Sequence, residues 1–117
     1  IQYTYVRTKS ILEKAEYLPK IEEVKTEMLT DECSQDILKL IYNFQDILVQ
    51  VTEKNEPSIL ARYLIDLAKA YSSFYNENKI IVEDKEVQNA RVYLTYATSE
   101  VLKQGAKLLG IEMPEKM

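Results

Sequence analysis

The sequence predicts an all-α fold, a bundle of about four principal helices, and three observations carry the prediction. Apolar residues recur at three- and four-residue steps through three long stretches, the spacing of a helix that buries one face. No stretch alternates apolar and polar residues as a half-buried strand would. Pro19, Pro57 and Gly110 fall at the edges of the periodic stretches. At 117 residues the chain has the size of one domain, so 1–117 reads as a single helical unit.

The first helix is expected near 2–16, ahead of Pro19. The opening "IQYTYVRTKS" carries no initiator Met, signal-peptide core or helix cap, so the chain reads as a piece of a longer protein. Lys20 to Glu32 is Glu-rich with a thin apolar pattern (Ile21, Val24, Met28) and reads as a helical turn or a flexible connector. The second helix is expected near 34–53, where Ile37, Leu40, Ile41, Phe44, Ile47, Leu48 and Val51 make a core-facing stripe. "NEP" breaks it. Pro57 then suits the first turn of a third helix, near 57–76, where its missing N–H costs nothing. That helix carries Leu60, Tyr63, Leu64, Leu67, Ala68, Tyr71, Phe74 and Tyr75 on its stripe.

The run Ile80–Val82 is apolar but has no partner strand, so it reads as a loop packed on the bundle. Asp84 is placed to cap the last helix, near 85–109, with Val87, Ala90, Leu94, Ala97, Val101 and Leu108 as core positions. Gly110 ends it just past the cap, where glycine tolerates the left-handed conformation. A tail, Ile111 to Met117, follows with two methionines in its last five positions. That is more apolar than a frayed terminus needs to be.

Composition excludes several kinds of function. There is no His, which removes Ser/His and Cys/His triads and imidazole metal sites together. Two glycines cannot build a phosphate-cradling loop. The single cysteine, Cys33, cannot form an internal disulfide and suits a reducing, cytoplasmic setting as an ordinary thiol. No catalytic residue, metal site or cofactor is expected in the chain, and with no run of eighteen apolar residues, no membrane span.

The net charge of −4 at first argues against nucleic acid. Residues 13–36, however, hold eight acids against three lysines, leaving eleven acids and twelve bases elsewhere. A neutral or weakly basic face remains available to RNA without the field of a DNA-binding protein. No DNA partner is expected.

Nine tyrosines with no Trp and two Phe form an unusual aromatic set, suited to half-wet surfaces and to stacking on bases. At least six are expected as half-buried helix residues. On the last helix, at 100° per residue, Tyr93 lies about 70° from the centre of the stripe and Tyr96 about 130°, on the outer face. On the first, Tyr3 and Arg7 are an i, i+4 pair that presents an aromatic plane beside a guanidinium fork.

Read in order, "QYTYVRTKSIL" (2–12), "EPSILARYLIDLAKAYSSFYN" (56–76), "ARVYLTYATSEVLKQGAKLLGI" (90–111) and the terminal "PEKM" resemble the C-terminal anticodon-binding domain of arginyl-tRNA synthetase. This all-helical DALR domain is of the class I synthetase anticodon-binding type. The resemblance spans nearly the whole chain, and residues 15–33 match poorly, as an acidic connector would.

It implies a C-terminal fragment of a longer cytoplasmic synthetase, an enzyme of protein biosynthesis. The parent would activate arginine with ATP and magnesium in a separate catalytic domain and transfer it to tRNA. Implied partners are the anticodon loop of arginine tRNA and the catalytic domain of the same chain, with no membrane. Tyr3, Arg7, Tyr96 and Met117 occupy positions that match the family's RNA-binding residues. In the family the tail folds back beside the anticodon surface, so Met117 would offer an apolar side chain and a free carboxylate to a base.

All arginine anticodons share a central cytosine, and single-stranded loop bases are read by stacking and by pairing their edges. Two positions depart from the pattern: Tyr5 stands where bacterial relatives often have His, and Glu13 where a basic residue is common. A carboxylate at 13 would repel phosphate.

A helical protein–protein interaction module with a Tyr-rich face is the competing reading from another class. The helical anticodon domains of cysteinyl-tRNA synthetase and of the glycyl enzyme's β subunit compete within the same class, and the "PEKM" terminus argues against both. For the tail, the alternative is a staple on the last helix through Ile111 and Met113.

Overall fold

In the computed structural model, which describes residues 1–20, 22 and 24–110, the expected stripes form helices that close around one core. The helices are α1 (Gln2–Ala15), α2 (Glu32–Tyr42), α3 (Phe44–Lys54), α4 (Pro57–Glu77) and α5 (Lys85–Leu108), with a 3-10 turn at Thr26–Met28. No strand occurs among the described residues. α5 is the central element, with α1, α2 and α4 packed against it, while α3 rests on α4.

The stretch expected as one helix near 34–53 is two. The reason lies at the Leu40 carbonyl, which accepts the Asn43 N–H at 3.1 Å and also the phenol of Tyr63 from α4. A side chain inserted into a helical hydrogen-bond ladder is a standard cause of a break. Periodicity does not register it, because the apolar stripe continues across the joint to Phe44, which stacks on Tyr63 with centroids 5.8 Å apart. Burial pushes the Tyr63 phenol up to about 12.

The stripe of α4 holds as expected. Leu60, Tyr63, Leu64, Leu67, Ala68, Tyr71 and Phe74 are all buried, each large side chain contributing about 1.5–3 kcal/mol. Pro57 opens the helix at N1/N2. The stripe assigned to α5 is too narrow and set to one side. Leu108 is 64% exposed, while Gln88, Val92, Thr95, Thr98, Ser99, Leu102, Gly105 and Ala106 are buried beside Ala90, Leu94 and Val101. Three helices pack on α5, so its covered arc is wide and includes polar residues. Thr95, Thr98 and Ser99 satisfy their hydroxyls on the carbonyls of Arg91, Leu94 and Tyr96, at 3.0, 2.9 and 2.7 Å.

The connections lock the ends. α1 stops at Glu16, whose φ of 64° is left-handed, and Tyr17 beyond it donates to Asn89 at 2.5 Å and accepts from Gln88 at 3.2 Å. The end of α1 therefore meets the start of α5. The Glu-rich segment contains the 3-10 turn, with Leu29 buried behind it. Asp31 caps α2 through the Ser34 N–H at 3.0 Å. Ile80 packs into the core while Ile81 stays 42% exposed, so the apolar run before α5 is a packed loop. Asp84 caps α5 as expected, accepting from the Glu86 and Val87 N–H groups at 3.0 and 3.4 Å. Gly110 takes the left-handed conformation with φ 78°.

Candidate nucleic-acid interface

α1 is amphipathic in a way its composition hides. Thr4, Tyr5, Thr8, Ile11 and Ala15 face the core, and the Thr8 hydroxyl is satisfied on the Tyr5 carbonyl at 2.6 Å. Tyr3 and Arg7, one turn apart on another face, are left toward solvent, Tyr3 at 60% exposure. Tyr5 is only 1% exposed, so the tyrosine that departs from the family's frequent His is a core residue. Glu13 is exposed.

Arg7 is held from two sides. Its guanidinium carbon lies 4.6 Å from the centre of the Tyr3 ring and 4.3 Å from that of Tyr75, at the end of α4, and Nη2 donates to the Tyr3 hydroxyl. A cation within about 6 Å of a ring face is attracted by the ring quadrupole. Arginine carries five N–H donors, so this bond leaves donors to spare for an acceptor on an incoming ligand.

Tyr71, one turn before Tyr75, links this group to α5. Its hydroxyl meets Thr95 Oγ1 at 3.0 Å. Burial drives the phenol well above its ordinary range; the Thr95 bond and the positive charge of Arg7 counter part of that. Thr95 is the neighbour of Tyr96. Tyr96 is half-buried beside Tyr93, with centroids 6.1 Å apart and planes tilted by 53°. Asn89 lies two turns before Tyr96 on the same face and receives the Tyr17 phenol from the segment after α1, so Tyr96 stands on the side of α5 that α1 flanks.

The structure thus joins Tyr3 and Arg7 directly, and connects Tyr96 to them through Tyr71 and Thr95. Met117, with Ile111, Met113 and the rest of the 111–117 tail, lies outside the described residues. Sequence reasoning missed Tyr75, which it assigned to the core. The available signal was position, since Tyr75 sits in the last turns of α4, where the stripe runs out of neighbours to bury it. Of the nine tyrosines three are buried, four half-buried, and only Tyr3 and Tyr42 exposed.

A separate concavity of about 650 Å³ lies between α3 and the start of α4. Lys54 and Arg62 face Glu56 and Asp66 along it, so the mixed signs give no field for a polyanion. Among the described residues no acidic or Cys cluster could hold a metal ion, and no helix is long and apolar enough to cross a membrane.

The DALR anticodon binding domain model matches residues 1–117. The arginine–tRNA ligase of Halothermothrix orenii is 47% identical over 118 residues, taking in all of this chain and 20% of that protein. That of Streptococcus pneumoniae (strain Hungary19A-6) is 41% identical over 117 residues, again all of this chain and 20% of the relative. Among solved structures, Thermus thermophilus arginyl-tRNA synthetase superposes with a TM-score of 0.87 at 25% identity, covering 99% of this chain and 20% of that one. The chain spans about a fifth of the length of these relatives.

Proposed function

The chain belongs to the DALR anticodon-binding domain family, and from that premise we propose that it reads the anticodon loop of arginine tRNA at the central cytosine, so that the enzyme it forms part of attaches arginine to that tRNA. Activation of arginine with ATP and magnesium falls to another part of that enzyme, in the cytoplasm. The observation that carries the reading is Arg7, held between two tyrosine rings on an open face of α1.

Cytosine presents an amino donor beside two acceptors, the ring nitrogen and O2. Arg7 donates to the acceptors. The amino group needs an acceptor, which the terminal carboxylate of Met117 supplies. Tyr96 stacks on the base, and a stack of this kind contributes ~1–3 kcal/mol. With a net charge of −4, binding rests on stacking and edge pairing more than on a long-range field.

The test uses the full-length enzyme. Tyr96→Ala, or a few residues added after Met117, raises the KM for arginine tRNA by about one to two orders of magnitude, the cost of an unpaired edge in a dry pocket. Arginine activation and the melting temperature stay unchanged. If charging is normal in both variants, or activity is lost only in step with stability, the tail is a staple and the pocket reading fails.

A further inference from the structure

We infer that Tyr75 is a positioning residue of the RNA site, fixing the guanidinium of Arg7 so that its free N–H edge meets the base. The inference rests on the reading of Arg7 as a base-pairing donor and adds a residue from another helix to it.

A long arginine side chain on a helix surface samples many rotamers, and each one lost on binding weakens the complex. Tyr3 alone does little to restrict it, because its ring is itself 60% exposed and sits on the same helix. Tyr75 is different. It is half-buried in α4, next in sequence to Phe74 and one turn from Tyr71, both with no exposed surface. Its ring lies 4.3 Å from the guanidinium carbon, nearer than that of Tyr3 at 4.6 Å.

The same part of α4 holds α5 through the Tyr71–Thr95 contact at 3.0 Å, one residue before Tyr96. The stretch from Tyr71 to Tyr75 therefore sets both the donor on α1 and the stacking ring on α5 against one rigid reference. Such support from neighbouring packed residues is what keeps a recognition group within reach of its partner.

The ring face is the working part, so the test varies its electron density at constant shape. In the full-length enzyme, phenylalanines carrying increasing numbers of fluorines are placed at 75, with Tyr75→Phe as reference. Draining the negative face should lower kcat/KM for arginine tRNA stepwise, to a total of about threefold to tenfold. The change should appear in KM, with arginine activation and melting temperature constant. Tyr75→Leu should cost at least as much, and should cost nothing further in an Arg7→Gln background.

A flat response across the fluorinated series, while Arg7→Gln still raises KM, overturns the inference and leaves the anticodon reading standing. An equal Tyr75→Leu cost with and without Arg7 also overturns it, because Tyr75 would then not act through Arg7. If Arg7→Gln itself charges tRNA normally, the anticodon reading of Arg7 fails and the inference with it.

Discussion

Gly105→Ala measures how closely α4 and α5 approach, and the expected sign opposes helix propensity. Glycine in a helix interior costs about 1 kcal/mol relative to alanine, so propensity alone makes the substitution stabilising. Packing reverses this. A Cβ at 105 would stand 2.6 Å from Leu64 Cδ2, 2.9 Å from Cδ1 and 3.2 Å from Cγ. Leu64 is fully buried and has no solvent to swing into. Adding one methyl to a filled site costs about 1–3 kcal/mol. Set against the propensity gain, the net loss is about 1 kcal/mol, or roughly 4 °C in Tm for a chain of this size.

The assay is thermal and urea unfolding followed by circular dichroism, on Gly105→Ala, Leu64→Ala and the double variant. Leu64→Ala alone should cost about 2–5 kcal/mol through the cavity it opens. On that background the added methyl has room, so Gly105→Ala should stabilise by about 1 kcal/mol. A rise in Tm for Gly105→Ala in the unaltered chain would refute the reasoning. So would an equal loss in both backgrounds.

Leu64→Asp places a charge at a fully buried position and should abolish cooperative unfolding, whereas Tyr96→Ala, which removes a half-exposed ring, should move stability by no more than about 1 kcal/mol. Equal losses of Tm in the two variants would place Tyr96 in the core and remove it from the interface. Cys33 donates to Glu77 Oε2 at 3.2 Å, and that bond, with the carboxylate's charge, raises the thiol from 9.0 to about 11. The thiolate is therefore scarce at pH 8 and grows as pH approaches 11. Alkylation at pH 8 should run roughly a hundredfold slower than for an unperturbed thiol, and Glu77→Gln should accelerate it. Reaction at the rate of free cysteine in the unaltered chain would contradict the Glu77 bond.

Much of this architecture is legible in the sequence, because the signals that mark it are local. Pro57 at the start of α4, the Asp84 cap and the left-handed Gly110 each follow from the chemistry of one residue. The stripe of α4 is readable since it faces its neighbours with apolar side chains. Two features are hidden by long-range contacts. The break at Asn43 depends on a phenol twenty-three residues away from Leu40, which no local pattern encodes. The buried arc of α5 contains Thr, Ser, Gln and Gly, which a search for apolar periodicity passes over although each is satisfied or tightly packed.

The interface divides in the same way. Tyr3 and Arg7 are visible as neighbours from their i, i+4 spacing, a property of any helix. Their union with Tyr75 requires α4 to lie beside α1, and the link from Tyr71 to Tyr96 requires α5 to pack with Thr95 inward. Those are facts of tertiary structure.

The central claim is that this domain distinguishes one base. It is tested most directly by the ratio of kcat/KM for arginine tRNA with its native central cytosine to that for the same tRNA with a central uracil, measured on the full-length enzyme. Uracil presents a carbonyl where cytosine presents its amino group, so the two edges demand opposite partners. The account predicts a ratio of about ten to a hundred, from a mispaired edge worth ~1–3 kcal/mol, carried by KM and collapsing toward one in Arg7→Gln. A ratio near one in the unaltered enzyme would contradict the account.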